Sequence, residues 1–273
     1  MKKFFLAAFA LLVLPCQAKA AKVPIDIRVN GEYILTDSEP VIQSGVPYAP
    51  LRAIAESLGA ENVSWNEQKK TATVNLGDNN VTVSINSHIA YNNNSPITMN
   101  GKAFILNDRT FIPVRAMSSI FGAEVSWDDT YKNVELSKSS VNVDKNMIDR
   151  TFTHDELYWM SRIINAESQG ESLRGKIAVG DVILNRVKSP LFPNTIYGVI
   201  FDRQYAVQFE PTINGTIYHT PGTESVAAAK LSLSNESTVG NCLYFFNPTI
   251  ASSSWIANNR TYYTTIGGHH FYL

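Results

Sequence analysis

Two periodicities divide the chain. Between residues 22 and 137 the apolar positions alternate over short stretches, as in "VTVSI" (81 to 85), and predict short strands. From residue 153 onward the spacing becomes helical, with Leu157, Met160, Ile163 and Ile164 forming one apolar stripe. Thr153 followed by Glu156 is a capping box that marks where this helix starts. Residues 138 to 150, in "SKSSVNVDKNMIDR", are polar with little periodicity and read as a linker that would allow the two halves some relative motion.

The first half aligns with itself at a spacing of about sixty residues. "VPYAPLRAIAESLGAENVSWNEQKKTATVNL" (46 to 76) matches "RTFIPVRAMSSIFGAEVSWDDTYKNVEL" (109 to 136). Each stretch predicts a strand reaching a proline (Pro50, Pro113) and then a two-turn amphipathic helix. Leu51, Ile54, Ala55 and Leu58 form the apolar side of one helix, and Val114, Met117, Ile120 and Phe121 that of the other. Gly59 and Gly122 suit left-handed C-caps. Trp65 and Trp127 follow on strands, where core packing is the expected role, and Asn66-Glu67 and Asp128-Asp129 turn into the next strand.

The helical stripe of the second half carries the most informative residue. Advancing about 100° per residue, Glu167 falls near the centre of the stripe, and Gly170 ends the pattern just beyond it. A carboxyl held against apolar side chains, near the negative end of a helix dipole, has a raised pKa and suits general-acid work. A buried structural Glu paired with Arg162 or Arg186 fits the periodicity equally well. A second helix follows to Ser189-Pro190, then an alanine-rich helix (224 to 234), "CLYFFNP" and a closing "IGGHHFYL".

Composition narrows the function classes. The 273 residues, 44% hydrophobic and 17% charged, suffice for two ordinary domains. Residues 1 to 20 read as a signal peptide: Lys2 and Lys3, the apolar "FFLAAFALLVL", then Ala18-Lys19-Ala20. Cys16 raises a lipid anchor, which the preceding Pro15 fits poorly. Removing the leader leaves 20 basic and 24 acidic residues, which argues against a nucleic-acid partner. Only Cys242 would then remain, so the expected secreted chain has no internal disulfide.

The repeat and its Pro-Leu-Arg and Ser-Trp motifs resemble the copper amine oxidase N-terminal-like domain over residues 22 to 137. His88 is the only histidine of that half, so no copper set is expected there. Residues 151 to 273 resemble the SleB/CwlJ-type cell-wall hydrolases, the family of the spore cortex-lytic enzymes. "AESQGE", "IAVGDVILNRVKS", "FPNTIYGVIF", "YFFNP" and "IGGHHF" carry that resemblance in family order. It implies an α+β chain: a lysozyme-like catalytic domain beside a small α+β repeat domain. It also implies action on peptidoglycan glycan strands, with the catalytic glutamate at Glu167. Asp181, inside the second helix, departs from the pattern.

One carboxylate suffices for a lytic transglycosylase, whereas hydrolysis normally needs a second at a defined separation. Glu171, Glu210 and Asp181 are candidates for that second acid. Candidate substrate-binding residues are Gln169, Asn185, Tyr244, Phe246, Asn247, Trp255 and His269, with Asn185 equally suited to capping a loop. His154, His219, His269 and His270 fit no zinc spacing, so neither metal nor cofactor is expected. The alternatives are a hydrolytic muramidase on the same strand and a non-catalytic wall-binding protein.

Overall fold

The computed structural model describes residues 23–234, 237–251 and 253–273. The leader and Cys16 lie outside the described residues. Among these residues no helix is long and apolar enough to cross a membrane. The chain is mixed α+β, with strands gathered in the N-terminal half and helices in the C-terminal half.

The N-terminal half begins with β1 (Asp26–Val29), β2 (Glu32–Tyr33), β3 (Val41–Gln43), β4 (Val46–Pro50) and helix α1 (Leu51–Ser57). Next come β5 (Asn62–Asn66), β6 (Thr71–Leu76), β7 (Asn79–Ser84), β8 (Ile89–Asn92) and β9 (Ser95–Thr98). It closes with β10 (Phe104–Leu106), β11 (Arg109–Pro113), α2 (Val114–Ile120), β12 (Glu124–Asp128) and β13 (Asn133–Ser137). Three sheets result, in the orders β12-β13-β1-β2, β10-β11-β4-β3 and β5-β6-β7-β8-β9.

Both helices start directly after a proline, where the missing N–H is no loss. Gly59 and Gly122 end them with φ of +94° and +67°, a conformation that favours glycine. Leu51, Ile54 and Leu58, with Val114, Met117 and Phe121, are buried in one core.

Two expectations fail in this half. Trp65 and Trp127 are not core residues: they keep 38% and 36% of their surface exposed. On β5 and β12 each Trp shares its face with the valine two residues earlier, Val63 or Val125, which packs on the core, whereas the Trp, one pleat nearer the hairpin turn, stays at the core's edge. The linker is not a loose tether either. Val143 is buried in the N-terminal core, and Ile148 bridges to Ile34.

The C-terminal half contains α3 (His154–Ser168), α4 (Leu173–Lys188), α5 (Ile196–Ile200), α6 (Pro211–Asn214) and α7 (Thr223–Leu233). A small sheet of β14 (Tyr244–Phe246), β15 (Tyr262–Ile266) and β16 (His269–Tyr272) has the order β14-β16-β15, with α8 (Trp255–Asn259) between its first two strands in sequence. The capping box on α3 is complete: Thr153 Oγ1 accepts from Glu156 N, and Glu156 Oε2 accepts from Thr153 N at 2.7 Å. Such a cap contributes about 1 kcal/mol. Leu157, Met160, Ile163 and Ile164 are fully buried against α4 and α7, each contributing about 2 kcal/mol of transfer free energy.

The halves are joined by buried polar contacts. Lys230 Nζ on α7 lies 2.7 Å from Asp26 Oδ2 on β1, and it also donates to Pro24 O and Asn133 Oδ1. Tyr33 and Tyr131 from the first half pack around the His154 ring, and Tyr33 also meets Phe152 edge-on. These contacts oppose free relative motion of the halves.

Candidate active site

Glu167 occupies the last turn of α3, on the side that continues the buried stripe. It lines a cleft of about 1100 Å³. The walls come from the end of α4, the loop 204–210, β14, the segment through α8, and His269 of β16.

Burial dominates the electrostatics of Glu167 and pushes its carboxyl up to about 7. The negative charge of Glu210, on the same cleft wall, raises it further, and the Arg186 guanidinium works in the opposite direction without overcoming burial. A carboxyl near 7 is divided between proton donor and proton acceptor at neutral pH, which one group needs if it is to serve as both.

Arg186 is held rigidly. Its Nε donates to Leu243 O at 2.8 Å and its Nη1 to Gln208 Oε1 at 3.3 Å. The guanidinium also lies over the rings of Phe192, Phe209 and Tyr244. Burial lowers its pKa to about 10, which still leaves it cationic at neutral pH. Arg162, the other candidate partner of Glu167, stacks on Tyr158 at 4.0 Å instead.

Tyr244, Phe246, Asn247, Trp255 and His269 all line the cleft with Glu167. Arg260 sits over both Tyr244 (4.5 Å) and Trp255 (5.0 Å), joining the two rings into one wall. His269 is buried edge-on to Phe245, and that burial pushes its pKa below the usual histidine value. It therefore enters the cleft as a neutral imidazole at neutral pH.

Four candidates stand elsewhere. Gln169 is the exposed C-cap residue of α3 and is not part of the cleft lining. Asn185 holds a loop: its Nδ2 donates to Gly240 O at 2.7 Å and to Cys242 O at 3.0 Å. Asp181 is buried between α4 and α7, accepting from Ser232 Oγ and from the backbone and hydroxyl of Thr238. Glu171 is turned toward the β15–β16 turn, where its carboxylate accepts from Gly268 N at 3.1 Å and lies 3.7 Å from His269 Nδ1. Of the three second-acid candidates, only Glu210 shares the cleft with Glu167.

Sequence reasoning assigns the segment 202 to 220 to the groove as a stretch, without singling out Gln208 or Phe209, and it misses Arg260. These residues lie outside the regular strands and longer helices, where no periodicity tells which side faces a cleft. The Arg186 signal was present in its position on α4, but not its destination.

Comparison with known proteins agrees with both resemblances. Residues 28–136 match the copper amine oxidase N-terminal domain family, and residues 170–272 match the cell wall hydrolase family. A spore cortex-lytic enzyme of Bacillus cereus is 38% identical over 120 residues, covering 44% of this chain and 45% of that protein. The Bacillus subtilis spore cortex-lytic enzyme is 34% identical over the same length, covering 44% of this chain and 38% of its own. The catalytic domain of the germination-specific lytic transglycosylase SleB of Bacillus anthracis is 36% identical and is covered in full; it covers 46% of this chain, with a TM-score of 0.42. The chain thus spans less than half the length of these curated relatives. Glu167 lies just before the matched hydrolase range.

Proposed function

We propose that this is an exported enzyme that cleaves the glycan strand of peptidoglycan between N-acetylmuramic acid and N-acetylglucosamine, with Glu167 as general acid and then base. The observation that carries the reading is the Glu167 carboxyl, pushed by burial up to about 7, in an aromatic-walled cleft. Similarity to the spore cortex-lytic enzymes supports the substrate class. The C-terminal half is read as lysozyme-like, and the N-terminal half as two copies of one unit.

The chemistry follows from that carboxyl. Protonated Glu167 gives its proton to the glycosidic oxygen, the bond from the muramyl C1 to that oxygen breaks, and the sugar beyond leaves with a free 4-hydroxyl. The resulting carboxylate takes the proton from the muramyl 6-hydroxyl, whose oxygen closes onto C1. The product is a 1,6-anhydro end, no water is consumed, and Glu167 regains its proton. Charge developing at C1 is favoured by the nearby carboxylates and by the π-faces of the aromatic wall.

Glu210 favours a second reading. It lines the same cleft and could activate water, which would make the reaction a hydrolysis. Digesting purified peptidoglycan and weighing the products separates the two. Anhydro ends support transglycosylation, reducing ends support hydrolysis, and undiminished cleavage by Glu167→Gln refutes both.

A further inference from the structure

The N-terminal half holds two grooves that the cleft does not use. The first, about 590 Å³, lies between the start of α1, the β5–β6 hairpin and the β10–β11 hairpin, and its walls include Arg52, Trp65 and Glu67. The second, about 170 Å³, lies between the start of α2, strands β12 and β13, and the turn before β4; Asn100, Arg115 and Trp127 line it.

The same small device stands in each. Trp65 Nε1 donates to Glu67 Oε2 at 2.7 Å, and Lys70 pairs with that carboxylate. Trp127 Nε1 donates to Asp129 Oδ1 at 3.1 Å, and Lys132 Nζ lies 2.7 Å from the same oxygen. Both carboxylates are held below their usual pKa, first by the lysine hydrogen bond and then by the indole. The single donor of each indole is therefore satisfied within its own hairpin. What remains for a ligand is the ring itself, held in one orientation and over a third exposed.

The chemistry beside each ring selects the ligand class. Arg52 and Arg115 are exposed at the starts of α1 and α2 and line the same grooves as the rings. In the first groove Glu67 and Asp37 are already paired with Lys70 and Arg109, so the groove offers hydrogen bonds with little net charge. A charged peptide gains little from such a surface. A pyranose fits it: its C–H face stacks on an indole, and its hydroxyl and acetamido oxygens accept from guanidinium and amide N–H.

We propose that these paired Trp–Arg grooves bind amino-sugar units of the peptidoglycan glycan strand, one subsite in each. The N-terminal half thereby holds the polymer that the C-terminal cleft cuts. The substrate named here rests on the function proposed above.

Co-sedimentation with insoluble peptidoglycan tests this, using the full chain with Glu167→Gln so that the polymer stays intact. The double variant Trp65→Ala/Trp127→Ala should lower the bound fraction at least tenfold, while Trp65→Phe/Trp127→Phe retains it. Arg52→Ala/Arg115→Ala should weaken binding as well; because Arg52 Nη2 also donates to Val63 O at 3.0 Å, Arg115→Ala alone is the cleaner arm. Glycan freed of its stem peptides should compete, and free stem peptides should not. Undiminished sedimentation of the Trp-to-Ala pair, loss of binding in the Phe pair, or competition by stem peptides alone would overturn the proposal. Cleavage of short soluble glycan by chains retaining Glu167 reports on the cleft separately. Its absence in the wild type would refute the catalytic reading while leaving the sedimentation result to judge the grooves.

Discussion

Lys230 on α7 is 2.7 Å from Asp26 on β1, and the two residues belong to different halves of the chain. The lysine is 2% exposed, whereas the aspartate side chain keeps 28% of its surface. Burial pushes the lysine pKa down and the aspartate pKa up, and the pairing opposes both shifts.

Asp26→Asn strands a buried cation, so it is expected to cost about 3 kcal/mol. Lys230→Met should cost less, because the remaining carboxylate reaches water. Urea unfolding followed separately for each half should show one shared transition in the wild type. The Asp26→Asn chain should separate into two.

Glu167, the proposed general acid, is expected to oppose stability. Its folded pKa, about 7, lies above the ordinary carboxylate value of 4.5. Between these values the unfolded chain gives up its proton first, so stability falls as pH rises from 4.5 to 7 and then levels off. At pH 8 Glu167→Gln should be more stable than the wild type by up to about 3 kcal/mol, from the size of that shift. The gain should vanish below pH 4.5, as read by thermal unfolding across pH. The same variant should lose activity about a thousandfold, near the middle of the range for general acid–base catalysis.

Removing the negative charge of Glu210 should lower the Glu167 pKa. In Glu210→Gln the alkaline limb of kcat/KM on soluble glycan fragments should move to lower pH. The rate on the acid side of that limb should stay within about threefold if transglycosylation operates. A loss of about a hundredfold or more would identify Glu210 as the base of a hydrolysis.

Asn185→Ala removes two hydrogen bonds to a loop and leaves the Gly240 and Cys242 carbonyls without that partner. The expected cost is about 2 kcal/mol. KM and kcat of the folded enzyme should be unchanged, because the residue lies outside the cleft lining. A large change in KM would return Asn185 to the substrate site.

The helical signals were readable because they depend on local spacing. The capping box, the stripe and the inward aim of Glu167 all follow from positions within fifteen residues on one helix. Trp65 and Trp127 were misread because strand alternation assigns a side chain to a face without saying where along that face the core ends. Val63 shares its face of β5 with Trp65 and is buried, while Trp65, one pleat nearer the hairpin turn, is not. Lys230 sits in the alanine-rich helix among buried neighbours, and its partner Asp26 lies near the other end of the described chain. No local pattern joins two such positions. Glu210 was visible only as one acid in an irregular stretch, and its proximity to Glu167 depends on how that stretch is folded back over the end of α4.

Strands β4 and β11 pair antiparallel, with Ala49 opposite Ile112 and Pro50 opposite Phe111. Since α1 continues β4 and α2 continues β11, the two arginines that open these helices leave the pair at opposite ends. A polymer with a head and a tail, threaded along one groove, would meet the other groove running backward. Such an arrangement makes a poor rail for sliding along one strand and a good clasp between neighbouring strands. If the grooves hold glycan as proposed, the C-terminal half would then work from a fixed mooring, trimming only what lies within its arm's length.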